Sequence, residues 1–168
     1  MEKVMSRSYV LRIAAFDAVL VTLALLMPIV SHAFGVGIRF LEPMRLALFA
    51  AVLFVPERKN AYLMAFVLPW FSFAIIGMPV WWKAVMMSVE LVVNVFILYR
   101  LLDLKVHSGL ALLISVLMAK GLYYIAKYLL IQFAVLPQMP VVENVPMILL
   151  SVVLLSVLFV CGSKIVKR

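Results

Sequence analysis

Four residues on one predicted helix have both the spacing and the chemistry of a site. Lys120, Tyr123, Tyr124 and Lys127 follow one another at i, i+3, i+4 and i+7, so a helix presents them on one face. Lys120 and Lys127 then stand about 10 Å apart along its axis. The preceding predicted helix repeats the period with Lys83, Met87, Glu90 and Asn94. Arg45 opens another apolar segment, and Asp17 lies inside the first one. Cations flanked by phenols and an amide suit the capture of a polar small molecule. A carboxylate among them suits a structural ion pair. Both readings stand on the residues alone: Glu90 paired with a lysine of the next helix, or a pocket offering these groups to a ligand. Arg45 and the two lysines outnumber the one obvious buried carboxylate, and an unpaired buried cation draws an anionic guest. The candidate binding set is therefore Arg45, Lys83, Glu90, Asn94, Lys120, Tyr123, Tyr124 and Lys127.

Other chemistries find no support. No Ser/His/Asp set, H-E-x-x-H motif, Gly-rich phosphate loop or cofactor fingerprint occurs. Cys161 is the single cysteine, which excludes an internal disulfide, a C-x-x-C pair and a multi-cysteine metal site. His32 and His107 are too far apart for a helical ligand pair. The expectation is no catalytic residue, no metal and no cofactor. The net charge of +8 comes from basic residues scattered at segment ends. That distribution marks membrane topology rather than a nucleic-acid surface.

The elements that must position these residues read as membrane spans. Of 168 residues, 68% are hydrophobic and 13% charged, and the mean hydropathy is +1.23. A soluble domain is about half apolar and about a quarter charged, so this surface calls for a bilayer as its solvent. The fold class expected is all-α: one transmembrane domain of six helices, roughly 9–31, 43–55, 61–76, 80–102, 109–135 and 147–161. The second is short, so it is expected to tilt or to start inside the protein. Its separation from the third rests on the polar turn Pro56-Glu57-Arg58-Lys59-Asn60. The first apolar run, from Ile13 to Val30, is long for a signal-peptide core and reads as a retained helix. Ten basic residues fall on one side of the alternating spans (Lys3, Arg7, Arg12, Arg58, Lys59, Arg100, Lys105, Lys164, Lys167, Arg168) and two, Arg39 and Lys83, on the other. The positive-inside rule then places both termini in the cytoplasm. The loops at about 32–42, 77–82 and 136–146 face outside. Trp70, Trp81 and Trp82 suit an outer aromatic belt. A charge in mid-bilayer costs about 2.5–3.5 kcal/mol on insertion scales, so Asp17, Glu90, Lys120 and Lys127 must face the protein interior or a partner.

Several stretches resemble one known family. "SHAFGVGIRFLEPMRLALFAAVL", "LPWFSFAIIGMP", "MMSVELVVNVFILYRLL" and "LLISVLMAKGLYYIAKYLL" are similar to the substrate-binding S component of energy-coupling-factor (ECF) transporters. The resemblance spans roughly residues 9–130. It implies a plasma-membrane subunit, multi-pass and prokaryotic, which captures a vitamin or related small metabolite from outside. It also implies the partners: a transmembrane coupling protein and two ATPase subunits. Ala14 and Ala18 match the family's A-x-x-x-A pattern, which implies that they and the neighbouring Asp17 contact the coupling subunit. The chain departs from the pattern in lacking glycines across 45–66 and in carrying Arg45 where a neutral residue or His is expected. A substrate with a carboxylate would suit Arg45, Lys120 and Lys127. A different class also fits the size and topology: a non-catalytic scaffold similar to the small rod-shape-determining membrane protein. In that case the polar groups would pair fully among themselves and leave no cavity.

Overall fold

The computed structural model describes residues 7–34, 42–77, 79–133 and 145–166, and the side chains of all but 28–34, 145–148 and 164–166 of these. Six helices account for nearly all of them: α1 (Arg7–Phe34), α2 (Pro43–Phe54), α3 (Arg58–Ile76), α4 (Trp81–Asp103), α5 (Ser108–Gln132) and α6 (Val145–Val166). The described part of α1 (Arg7–Met27), α3, α4 and α5 are each long and apolar enough to cross a membrane. Among the described residues α2 and the Leu149–Ser163 stretch of α6 are shorter apolar helices. The all-helical expectation is met, and four spans have the required length and composition.

Boundaries moved where caps act. Arg58, expected in a turn, instead begins α3, because Glu57 adopts extended backbone at the N-cap and releases the helix one residue later. The helix ends at Gly77, whose φ of 73° closes the last turn with a bond from its N–H to the Phe73 carbonyl. Pro146, expected in a loop, lies in the first turn of α6, where a residue without an N–H leaves no bond unmade. Pro69 sits inside α3. Next to the ladder it interrupts, the Ser88 hydroxyl of α4 donates to the Phe66 carbonyl at 3.1 Å.

The helices run back and forth between two ends. Tyr9 at the start of α1 donates to the Glu57 carboxylate at 2.8 Å. Arg58 at the start of α3 grips Asp103 at the end of α4 in a two-point contact, Nη1–Oδ2 measuring 2.8 Å. A Cβ on Gly162 would fall 2.8 Å from Leu53, and one on Gly109 2.7 Å from Val160. The starts of α1, α3 and α5 therefore share one end of the bundle with the ends of α2, α4 and α6. Arg7, Arg12, Arg58, Lys59, Arg100 and Lys105 are carried to that end by these elements.

Two apolar cores share α2 and α4. One joins Leu20 and Ala24 of α1 to Leu48 and Ala51 of α2, Ala61, Ala65 and Leu68 of α3, and Leu91 and Val95 of α4. The other joins Phe49 of α2 and Leu98 of α4 to Leu112 and Val116 of α5 and Val152, Leu155 and Phe159 of α6. Small residues on the inner faces let helices approach closely. The outer faces are apolar too: Leu63, Phe66, Val89, Phe96, Leu122, Ile125 and Val157 are all about half exposed or more. A bundle apolar on both sides is what lipid, not water, stabilises.

Candidate functional site

Glu42 is the junction of a buried polar network. It immediately precedes α2 in a left-handed backbone conformation (φ 43°, ψ 70°), uncommon for a residue with a Cβ. This geometry turns its side chain back among the helices. Its Oε1 lies 2.6 Å from Lys120 Nζ of α5, and its Oε2 lies 2.9 Å from Arg45 Nη1 of α2. The Ser151 hydroxyl of α6 also faces its carboxylate. Arg45 in turn donates through Nη2 to Glu90 Oε1 of α4. One chain of charges thus links α2, α4, α5 and α6. Because Lys120 lies near the middle of α5, α2 begins alongside that helix's midpoint. At about 18 Å for 12 residues, α2 is the short helix that starts within the bundle.

The network corrects the charge count made from the residues alone. Arg45 and Lys120 are not surplus cations: Glu42, read there as part of a loop, is a second, partly buried carboxylate, and it answers both. Glu90 pairs with Arg45 rather than with a lysine of the next helix. The four charges sum to zero.

Hydrogen-bond donors remain in excess. Arg45 is 3% exposed and Asn94 fully buried. Arg45 Nε and Nη1 and Asn94 Nδ2 have no hydrogen-bond acceptor among the described residues. The Nη1–Glu42 contact is close, but its N–H bonds are not aimed at the oxygen, so it attracts as charge only. Asn94 is one turn beyond Glu90 on the same face of α4. Its carbonyl accepts from Ser115 of α5 at 3.2 Å, which directs its amide nitrogen away from that contact. Ser115 Oγ also lies 2.8 Å from the Leu112 carbonyl of its own helix, so its one hydroxyl proton is shared between the two acceptors.

The remaining expected residues divide. Lys127 is buried and already engaged in a contact within the protein. Tyr123 and Tyr124 are half-buried, meet each other edge to face at 5.5 Å, and are likewise engaged. Lys83, although on the stripe of Glu90 and Asn94, is exposed at the start of α4 and makes no ion pair among the described residues. The side chain of His32 lies outside the described residues. On α1, Ala14 and Ala18 are exposed, and Asp17 accepts from Asn60 Nδ2 of α3 at 3.0 Å. Asp17 therefore has a partner inside the chain, an amide of α3. Among the described residues no three His, Cys, Asp or Glu side chains come together as a metal site.

The residues missed from the sequence were Glu42, Ser115 and Ser151. Glu42 carried one usable signal: it stands immediately before Pro43 and three residues before Arg45, the spacing of a carboxylate over the first turn of a helix. No protein-family model matches this chain, and neither does any curated protein or solved structure.

Proposed function

We propose that this chain is a six-span protein of a prokaryotic plasma membrane, both ends cytoplasmic, which binds a small metabolite as the capture subunit of an ECF-type importer. The ten-to-two basic asymmetry supports the orientation. The resemblance of residues 9–130 to S components supports the transport role, with a coupling protein and two ATPases as partners. The observation that carries the binding function is the set of buried donors on Arg45 and Asn94. Each such group costs about 1–3 kcal/mol when left unmade. Arg45 Nε and Asn94 Nδ2, which meet no acceptor among the described residues, are the ones that a stabilising role alone leaves without a use. A ligand bearing carbonyl or carboxylate oxygens would satisfy them. Because the surrounding charges cancel, recognition rests on directed N–H groups rather than on a net positive field. A neutral vitamin rich in acceptors fits as well as an acid.

A second reading is favoured by the ion pairs themselves. Glu42, Arg45, Glu90 and Lys120 answer one another, as they would in a membrane scaffold whose polar groups serve only to join helices. Asn94→Leu separates the two, because Ser115 keeps its bond to Leu112. Binding predicts that a small molecule co-purifies with the wild-type protein in near-equal amount, detected by mass spectrometry. Asn94→Leu loses it while remaining folded. If no molecule co-purifies and Asn94→Leu raises the unfolding temperature, the scaffold reading holds and the binding reading fails.

A further inference from the structure

At the end of the bundle that gathers the basic residues, α3 and α4 enclose a notch of about 160 Å³ lined by Arg58, Tyr62, Phe96, Tyr99, Arg100 and Asp103. That is roughly five water volumes at ~30 Å³ each. It is separate from the Glu42 network. Arg58 is fixed in it: its two terminal nitrogens hold Asp103, and its guanidinium lies 5.0 Å from the Tyr99 ring centre. Asp103 bonds Arg58 and also lies within the field of Arg100. Arg100 is different. It is exposed, stacks over Phe96 at 5.3 Å, and makes no ion pair among the described residues. Two guanidiniums against one carboxylate leave the notch one positive charge in excess. A fork of N–H donors backed by an aromatic plane is the geometry that grips phosphate oxygens. The Tyr62 and Tyr99 rings lie 6.0 Å apart on the same wall, and their hydroxyls can add donors. Below Arg100 the half-exposed Phe96 continues onto the apolar outer surface of α4. A ligand held here would have a charged head in the notch and an apolar body along the helix.

We infer that this notch binds the phosphodiester of an anionic phospholipid from the cytoplasmic leaflet, one with an uncharged headgroup such as phosphatidylglycerol. The leaflet follows from the positive-inside assignment of this end. A single negative charge matches the single excess positive one, which sets the preference over zwitterionic lipid.

The test uses the full chain in nanodiscs of phosphatidylcholine containing a minor fraction of phosphatidylglycerol, followed by native mass spectrometry of retained lipid. Wild type should retain one phosphatidylglycerol in preference to phosphatidylcholine. Arg100→Gln should weaken that preference about tenfold, as loss of a charge-assisted contact does. Arg100→Lys, which keeps the charge, should retain part of it and serves as the second variant if the glutamine form fails to fold. Arg12→Gln, an exposed cation at the same end but outside the notch, should change nothing. If Arg12→Gln loses as much as Arg100→Gln, retention reflects diffuse surface charge and the proposal is overturned. If phosphatidylglycerol is not enriched but soluble glycerol phosphate, added to pure phosphatidylcholine discs, binds through Arg100, the ligand is a free phosphate and the lipid assignment fails.

Discussion

Lys120 Nζ of α5 and Glu42 Oε1, at the threshold of α2, lie 2.6 Å apart. This contact pins the start of a helix too short to cross a membrane alone to the midpoint of one long enough to do so. Glu42 also faces Arg45 and Ser151, so its removal strands more than one group. Glu42→Gln should destabilise the protein by about 3 kcal/mol, the low end for breaking a buried pair, since Glu42 is a quarter exposed. Lys120→Met should cost less, because Glu42 keeps Arg45 and Ser151. Denaturant unfolding in micelles measures both. A Glu42→Gln loss below about 0.5 kcal/mol, the range of ordinary surface changes, would mean that the junction carries no load.

Arg45 and Glu90 are unequal partners. Glu90 has no second ion pair among the described residues, whereas Arg45 also faces Glu42. Arg45→Met leaves Glu90 charged, buried and alone, and should cost about 3–5 kcal/mol. Glu90→Gln leaves Arg45 its other carboxylate and should cost less. Adding Glu90→Leu to Arg45→Met should recover most of the loss, since an apolar pair replaces a buried ionic one nearly neutrally. A double-mutant cycle reads the coupling directly. Strict additivity would contradict the pairing.

Much of this was readable from the residues. Apolar runs with polar or Gly/Pro punctuation locate six helices to within a few positions. The short reach of 43–55 already implies a helix starting within the bundle. The stripe of Glu90 and Asn94 is one inner face of α4, and Lys120 and Lys127 do turn inward. Partner choice was not readable. Periodicity fixes which face a residue occupies, not which of several inward groups it meets. Lys83 shows the limit: it shares the stripe of Glu90 but lies at the helix start, beyond the reach of the buried network. Glu42 was missed because it sits outside every periodic segment, and its role depends on a left-handed turn that no apolar pattern reports. For Asp17 the sequence requires an inward face or a partner but does not point to the amide of Asn60 that bonds it.

Topology has a direct test. With Cys161 replaced by Ser, single cysteines introduced at Lys3 and at Lys167 should react with a membrane-impermeant maleimide only after the cell membrane is opened. One introduced at Met139 should react from outside in intact cells. Labelling of Lys3 and Lys167 from opposite sides would exclude an even number of spans.

The exposed strip on α1 is the remaining mechanistic question. Ala14 and Ala18 are four residues apart on one face and both exposed, so among the described residues no neighbouring helix fills the space above them. Small residues let a helix of another subunit come close. On the ECF reading that helix belongs to the coupling protein. Asp17, beside them, accepts from Asn60 within the chain, and on the ECF reading it also faces the coupling protein. Bulk and charge therefore separate the possibilities. Ala14→Leu and Ala18→Leu should leave the isolated protein folded and still carrying its co-purifying ligand, because nothing within the chain is displaced. Both should abolish co-purification with the coupling subunit and reduce uptake in cells by tenfold or more, about 1.4 kcal/mol or more of lost association. Asn60→Leu should do the reverse, lowering stability by stranding Asp17 while leaving docking intact in the folded fraction. If both leucine variants transport normally, the strip faces only lipid. The importer reading would then lose the surface by which energy from its ATPases could reach this chain.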